Sequence, residues 1–236
     1  MNLFYTPDIA TRSELPSEEA AHCARVLRMT EGEPIRLTDG KGNFYEAELT
    51  LVSNKHCQFH ILKKETPEPL WNGHIHIAVA PTKNMDRIEW FAEKATEIGF
   101  DELTFLNCRF SERKVIKTER VDKILVSAMK QSLKPCKPLL HEMIDFQQFV
   151  RQPFNGQKFI AHCYDDLGEK KYLKEMVIPG SDTLVLIGPE GDFSKDEVKL
   201  ALDNGFVPIT LGRSRLRTET AALVACHILN LANQIL

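Results

Sequence analysis

Two segments of this 236-residue chain carry residues whose types and order could do chemistry. In the first, Leu186-Ile187-Gly188-Pro189-Glu190-Gly191-Asp192-Phe193, an apolar strand runs straight into a loop poor in side chains. Glycine for positive φ and proline for rigidity would make a tight strand-to-helix turn. A loop at the carboxyl edge of a strand is also where open α/β sheets bind ligands. A phosphate cradle does not fit: no G-x-x-x-x-G-K-[ST] or G-x-G-x-x-G occurs after a strand, and Glu190 would repel a phosphate. A ligand with hydroxyls or cationic character fits better. The second segment, Leu211 to Ala221, places Arg213, Arg215 and Arg217 just ahead of Thr218-Glu219-Thr220. A helix cap by Thr218 or Thr220 with an early Glu219 would explain the last three. It leaves the arginines unexplained, because the macrodipole disfavours cations at a helix N-terminus.

Charge is segregated along the chain. Net charge is −3, yet residues 109–137 carry +6, from Arg109, Arg113, Lys114, Lys117, Arg120, Lys123, Lys130, Lys134 and Lys137 against Glu112, Glu119 and Asp122. Either this is a solvated helix face with a lysine-rich loop, or it is an electrostatic footprint for a polyanion. The six cysteines form no C-x-x-C pair, and neither H-E-x-x-H nor G-x-S-x-G occurs. Reduced thiols are therefore expected, with no metal, and hydrolase readings lack support. A composition of 43% hydrophobic and 27% charged residues sets disordered and disulfide-scaffold classes aside. No apolar run reaches the roughly 20 residues of a membrane helix, and the start lacks the basic end and apolar stretch of a signal peptide. A cytoplasmic location with no membrane partner is expected.

The elements that must position these residues fall into two regimes. Residues 1–68 read as a small barrel. A short helix opens at Ser17-Glu18-Glu19-Ala20, strands run over Ile35–Thr38, Phe44–Val52 and Cys57–Leu62, and Phe59 and Ile61 share one face. The polar segment Lys63–Pro69, with two prolines, reads as a boundary. From residue 70 strands alternate with helices: strands near Ile75–Ala80, Leu103–Leu106, Phe159–Cys163, Thr183–Ile187 and Val207–Leu211. Asn84 caps a helix ending at Gly99, a further helix lies inside the basic stretch, and Ser194 and Glu197 form a capping box for a helix ending at Gly205. The last helix spans Ala221–Leu236. This alternation implies a mostly parallel sheet covered on both faces. Cys163 and Cys226 read as core residues.

Taken together the motifs resemble the RsmE family of ribosomal RNA methyltransferases, in the SPOUT superfamily. Leu186–Phe193 is similar to the family's I-G-P-E-G-G-F, and Leu211–Ala221 to L-G-x-x-I-L-R-x-E-T-A. His22 to Arg28 resembles H-x-x-x-V-L-R, Lys94 to Gly99 resembles K-A-x-E-L-G, and Ala128 to Ser132 resembles A-x-x-Q-S. The five blocks stand in the family's order. Two departures are that the second family glycine is Asp192, and that the N-terminus lacks an arginine many relatives carry.

The resemblance implies a PUA-like β-barrel over 1–68 that binds RNA and, over 70–236, an α/β trefoil-knot domain binding S-adenosyl-L-methionine. It implies a homodimer that methylates N3 of one uridine in small-subunit (16S) ribosomal RNA, either free or as the assembled 30S subunit. The cofactor loops would comprise Ala161, His162 and Cys163; Leu186, Gly188, Pro189, Glu190 and Gly191; and Leu211, Gly212, Arg215, Leu216 and Thr220. Arg217 is the expected catalytic group, stabilising the imide anion, unless it pairs with Glu219 or a partner's glutamate at position 190. Glu219 is the candidate general base. RNA contacts are expected from Arg25, Arg28, Arg109, Arg113, Lys114 and Lys117. The alternatives are a related enzyme acting on another RNA nucleotide, or a non-catalytic RNA-binding or ribosome assembly factor.

Overall fold

The computed structural model describes residues 2–53 and 55–235; Met1 and the expected end of the last helix at Leu236 lie outside them. The chain forms two compact units. One comprises residues 1–68 with 126–137, and the other 69–125 with 138–236. No helix among the described residues is long and apolar enough to cross a membrane.

The first unit contains β1 (Leu3–Tyr5), α1 (Ser17–Ala21), which continues as a π-helical turn over His22–Val26, then β2 (Pro34–Thr38), β3 (Phe44–Val52) and β4 (Cys57–Glu65). They form one sheet in the order β1-β2-β3-β4, with β1 parallel to β2 and the other pairs antiparallel. Three residues are too few to show periodicity, so β1 had no sequence signal. The turn-forming cluster works through Asp39, whose carboxylate accepts from the Lys41 and Asn43 amides (2.8 and 3.2 Å), Asn43 Nδ2 (2.6 Å) and the Tyr45 hydroxyl (3.2 Å). Burial alone would raise this carboxyl's pKa; the bonds from Asn43, Lys41 and Tyr45 together outweigh it, and the net shift is downward. Phe4, Ile35, Leu37, Ala47, Leu49 and Phe59 form the core. Ile61, expected beside Phe59, is instead 36% exposed, next to a register shift between Glu46 and Ala47 on β3. The edge strand β4 also runs through Lys63, Lys64 and Glu65, charges that guard an open sheet edge.

The second unit is built on a parallel sheet. Its elements are β5 (Ile75–Val79), α2 (Met85–Ile98), β6 (Glu102–Asn107), α3 (Thr118–Gln131, whose end belongs to the first unit), β7 (Leu139–Leu140), β8 (Ile144–Asp145), α4 (Phe146–Val150), β9 (Gln157–Ala161), β10 (Lys171–Tyr172), α5 (Leu173–Met176), β11 (Thr183–Ile187), α6 (Lys195–Asp203), β12 (Val207–Thr210) and α7 (Thr218–Asn233). The strand order is β10-β12-β9-β11-β5-β6-β7, with β8 also on β6, and every pairing is parallel. Alternate residues sort to two cores. Ile75, Ile77, Val79, Val185 and Ile187 pack with α2 and α7 residues, while Ala78, Leu184 and Leu186 pack with α4 and α6 residues. Burial on both faces explains the uninterrupted apolar strands.

Local rules account for the helix ends. Asn84 Oδ1 accepts from the Asp86 amide at 3.0 Å, and α2 stops at Gly99 with φ +121°. The capping box of Ser194 and Glu197 is present, and Glu197 also accepts from the Arg109 amide at 2.8 Å. At α7 the expected threonine cap is not formed: the N-cap is Arg217, with no side-chain cap, and the helix begins at Thr218, not Ala221. All six cysteines are free thiols; Cys226 is core, but Cys163 is exposed at a strand end, contrary to expectation.

Candidate functional site

The strands β12, β9 and β11 are neighbours, and their carboxyl ends lead into the segments 211–217, 162–163 and 188–192. Stretches far apart in sequence thus meet along one sheet edge.

After β9, His162 is buried at 7% exposure, and neither ring nitrogen has a hydrogen-bond partner. Burial, with Lys170 second, lowers its pKa, so the ring is neutral at pH 7. Ala161 is half-buried, and the Cys163 amide donates to Asp192 Oδ2 at 2.8 Å. Asp192 sits at φ +65°, a left-handed backbone that glycine adopts freely and that aspartate tolerates better than most residues. The departure from the family pattern at Asp192 therefore has a use. Its other oxygen accepts from the Phe193 amide at 2.7 Å, so the side chain ties the β11 loop to the β9 loop.

After β11, Leu186, Gly188 and Pro189 are buried. Leu186 packs in the core, so only its backbone can reach a ligand. A Cβ on Gly188 would stand 3.1 Å from Phe193, which gives this glycine a packing reason. Glu190 is exposed and accepts from the Lys83 amide at 2.9 Å, joining the β5 and β11 loops; Gly191 lies against Phe110. After β12, Gly212 has φ +149°, and a Cβ there would meet nothing within 4 Å. Leu211, Leu216 and Thr220 are half-buried, while Arg213, Arg215 and Arg217 are exposed.

Glu219, in the first turn of α7, is buried at 6% exposure. Oε1 lies 3.9 Å from Arg87 Nε, and Oε2 has no hydrogen-bond partner. The N-terminus of α7 and Arg87 place positive charge on two sides of this carboxylate. Its ionic neighbour is therefore Arg87 of α2, not Arg217. Arg87 was missed because its role depends on a contact 132 positions away.

The basic residues occupy different settings. Arg113 donates to the carbonyls of Thr82 (3.1 Å) and Lys83 (2.5 Å), Lys114 donates to the Cys108 carbonyl (3.0 Å), and Arg120 pairs with Glu89 (2.6 Å). Lys130 pairs with Glu19 at 2.5 Å in the first unit. Arg109 and Lys117 are exposed in the second unit, Arg25 and Arg28 in the first, the last with φ +54°. The +6 stretch is thus not one surface element: residues 109–125 and 126–137 belong to different units, each with +3.

Comparison with known proteins shows the family of the chain. A family model for an RNA methyltransferase domain matches residues 69–230, and one for an RNA methyltransferase PUA domain matches 15–62. A crystal structure described as a probable rRNA methyltransferase from Porphyromonas gingivalis superposes with a TM-score of 0.92 at 45% identity, covering 98% of this chain and 99% of that one. The ribosomal RNA small subunit methyltransferase E of Neisseria gonorrhoeae, solved bound to S-adenosyl methionine, superposes with a TM-score of 0.86 at 26% identity over 98% and 97% of the chains. The protein of the same name from Rickettsia conorii is 26% identical, over 91% of this chain and 88% of that protein. With both domain models matched in order and the likeness running nearly end to end, the chain belongs to the RsmE family of RNA methyltransferases.

Proposed function

We propose that this protein transfers a methyl group from S-adenosyl-L-methionine to N3 of one uridine in small-subunit ribosomal RNA. The observation that carries the reading is the meeting of three loops on adjacent strands beside a buried carboxylate, Glu219, and an exposed arginine, Arg217. The residues suit the cofactor. His162 offers two unpartnered ring nitrogens, and Gly212 holds a left-handed backbone with open space over its Cα. When bound, S-adenosylmethionine supplies an electrophilic methyl group on a sulfonium sulfur. Gly188, Pro189 and Gly191 of the β11 loop, with the backbone at Ala161, His162, Cys163, Leu211 and Gly212, would hold it; Asp192 fixes two of these loops against each other.

Methylation at N3 requires the imide to lose its proton, leaving charge on the uracil oxygens. Arg217 stabilises that charge: its guanidinium is exposed, and among the described residues it has no ion pair. Glu219 Oε2, unpartnered and next in the chain but one, takes up the proton or orients the arginine that faces the base. Arg25, Arg28, Arg109 and Lys117 hold RNA phosphates, with Arg113 and Lys114 shaping the backbone they anchor. The protein acts as a cytoplasmic homodimer on ribosomal RNA or the 30S subunit.

The test is methyl incorporation from labelled cofactor into small-subunit RNA and into 30S subunits, with the modified base mapped. Arg217→Ala is expected to lower turnover at least 100-fold while cofactor affinity, measured separately, stays within about threefold. Near-normal turnover removes Arg217 from the chemistry. No incorporation by the wild-type protein on either substrate would indicate a non-catalytic binder, and methylation elsewhere a different target nucleotide.

A further inference from the structure

At the edge of the parallel sheet opposite the cofactor loops lies a cluster that the methyl-transfer reading does not use. His76 on β5 and Glu102 on β6 stand in register on neighbouring strands. His141 follows β7 and is held to β6 by its amide, which donates to the Leu103 carbonyl at 2.9 Å. Both His76 Nδ1 and His141 Nε2 lie 3.2 Å from the same oxygen, Glu102 Oε2. One ligand atom from each residue falls within 4.8 Å of the other two. His74 Nε2 approaches the other oxygen of Glu102, also at 3.2 Å.

These separations suit a metal ion. Ligands at about 2.0–2.1 Å from a tetrahedral zinc stand about 3.3–3.4 Å apart, close to the two 3.2 Å spacings onto Glu102, while the two imidazole nitrogens, within 4.8 Å of each other, would draw together on binding. The donors, two imidazoles and a carboxylate, favour zinc-like cations over magnesium or calcium. The nitrogen of His76 that faces away from the cluster lies 2.8 Å from Thr104 Oγ1. Such a bond orients a ligating imidazole and fixes its tautomer. A cavity of about 490 Å³ opens beside the cluster, lined by His76, Glu102, Thr104 and His141 together with Phe149 and Leu184.

We propose that His76, Glu102 and His141 form a binding site for a divalent transition-metal ion of the zinc class, with a fourth coordination position open to this cavity. The ion would link β5, β6 and the chain after β7, which are brought together only by folding. The absence of a C-x-x-C or H-E-x-x-H spacing in the sequence is therefore no obstacle: the ligands are 26 and 39 positions apart.

The probe is Co²⁺ or Zn²⁺ alone, added to full-length protein previously dialysed against chelator. The wild type is expected to bind one Co²⁺ per chain with visible d–d absorption and no thiolate charge-transfer band, which distinguishes this site from the cysteines. Its melting temperature should rise with added Zn²⁺, as it does for any ligand that binds only the folded state. His141→Ala, at a half-exposed position that tolerates truncation, should lose the absorption, weaken binding at least 100-fold and abolish the thermal shift; Glu102→Gln should do the same. A wild type that binds no metal, a charge-transfer band showing cysteine ligation, or a His141→Ala protein that binds as the wild type does would each overturn the proposal and leave a hydrogen-bonded network only.

Discussion

Asp192 offers a test of how one side chain both replaces a glycine and organises the cofactor loops. Three substitutions separate its contributions. Asp192→Asn keeps one acceptor oxygen for the amides of Cys163 and Phe193 but loses the charge and the second acceptor. Asp192→Gly loses both bonds but relieves the backbone at φ +65°. Asp192→Ala loses both and keeps the strain. A charge-assisted bond contributes about 1.5–3 kcal/mol when buried; at this partly exposed loop about 1 kcal/mol for each is the reasonable scale. Left-handed backbone costs a non-glycine residue about 1 kcal/mol relative to glycine. The expected losses are about 1 kcal/mol for Asn, about 1 for Gly and about 2 for Ala. Cofactor affinity by titration calorimetry should follow the same order, because a loop that is less often in its binding conformation weakens binding in proportion. Between Gly and Ala the predicted gap is about fivefold, and hydrogen exchange at the Cys163 amide should accelerate in both. Equal affinities for Gly and Ala would refute the strain reasoning; Asn binding as weakly as Ala would refute the tether.

Three further outcomes follow from particular contacts. Gly99→Ala should destabilise the fold by about 2–4 kcal/mol in urea denaturation, since a Cβ at φ +121° would stand 2.5 Å from the Trp71 ring. Asp39 has a folded pKa below its unfolded value, so its contribution is present above about pH 4 and lost as pH falls through the folded pKa. Asp39→Asn should therefore be less stable than the wild type at pH 7, and the difference should shrink on acid titration. Affinity for RNA should fall with salt at a log–log slope of about −3 if Arg25, Arg28, Arg109 and Lys117 each neutralise one phosphate, and each alanine substitution should reduce that slope by just under one; a flat salt response excludes the phosphate contacts.

Much of the scaffold was legible because its signals are local. The strand Thr183–Ile187, the Asn84 cap and the Ser194–Glu197 capping box each depend on fewer than ten consecutive residues. Their physics is an uninterrupted apolar run buried on both faces of the sheet, and the satisfaction of helix-end amides. The short elements β7, β8, β10, α4 and α5 had no such signal, since two to five residues carry no period. The α7 cap was misread for a related reason. Thr218 and Thr220 have the right chemistry, but Thr218 is already inside the helix and buried, and Arg217 takes the N-cap position.

The amino-acid order by itself determined the fold class, the loops that would carry chemistry and the acidic departure at position 192, because these follow from local pattern. Only the tertiary structure decided which residues meet. Glu219 faces Arg87 rather than Arg217, and Asp192 holds the Cys163 amide. The basic stretch divides between two units, and His76, Glu102 and His141 converge on one oxygen. Each of these contacts spans 29 or more positions, apart from the Glu102 pair at 26, and is made by the order in which strands are laid into a sheet. Strand order is set by the burial of whole faces, and no window of sequence contains it.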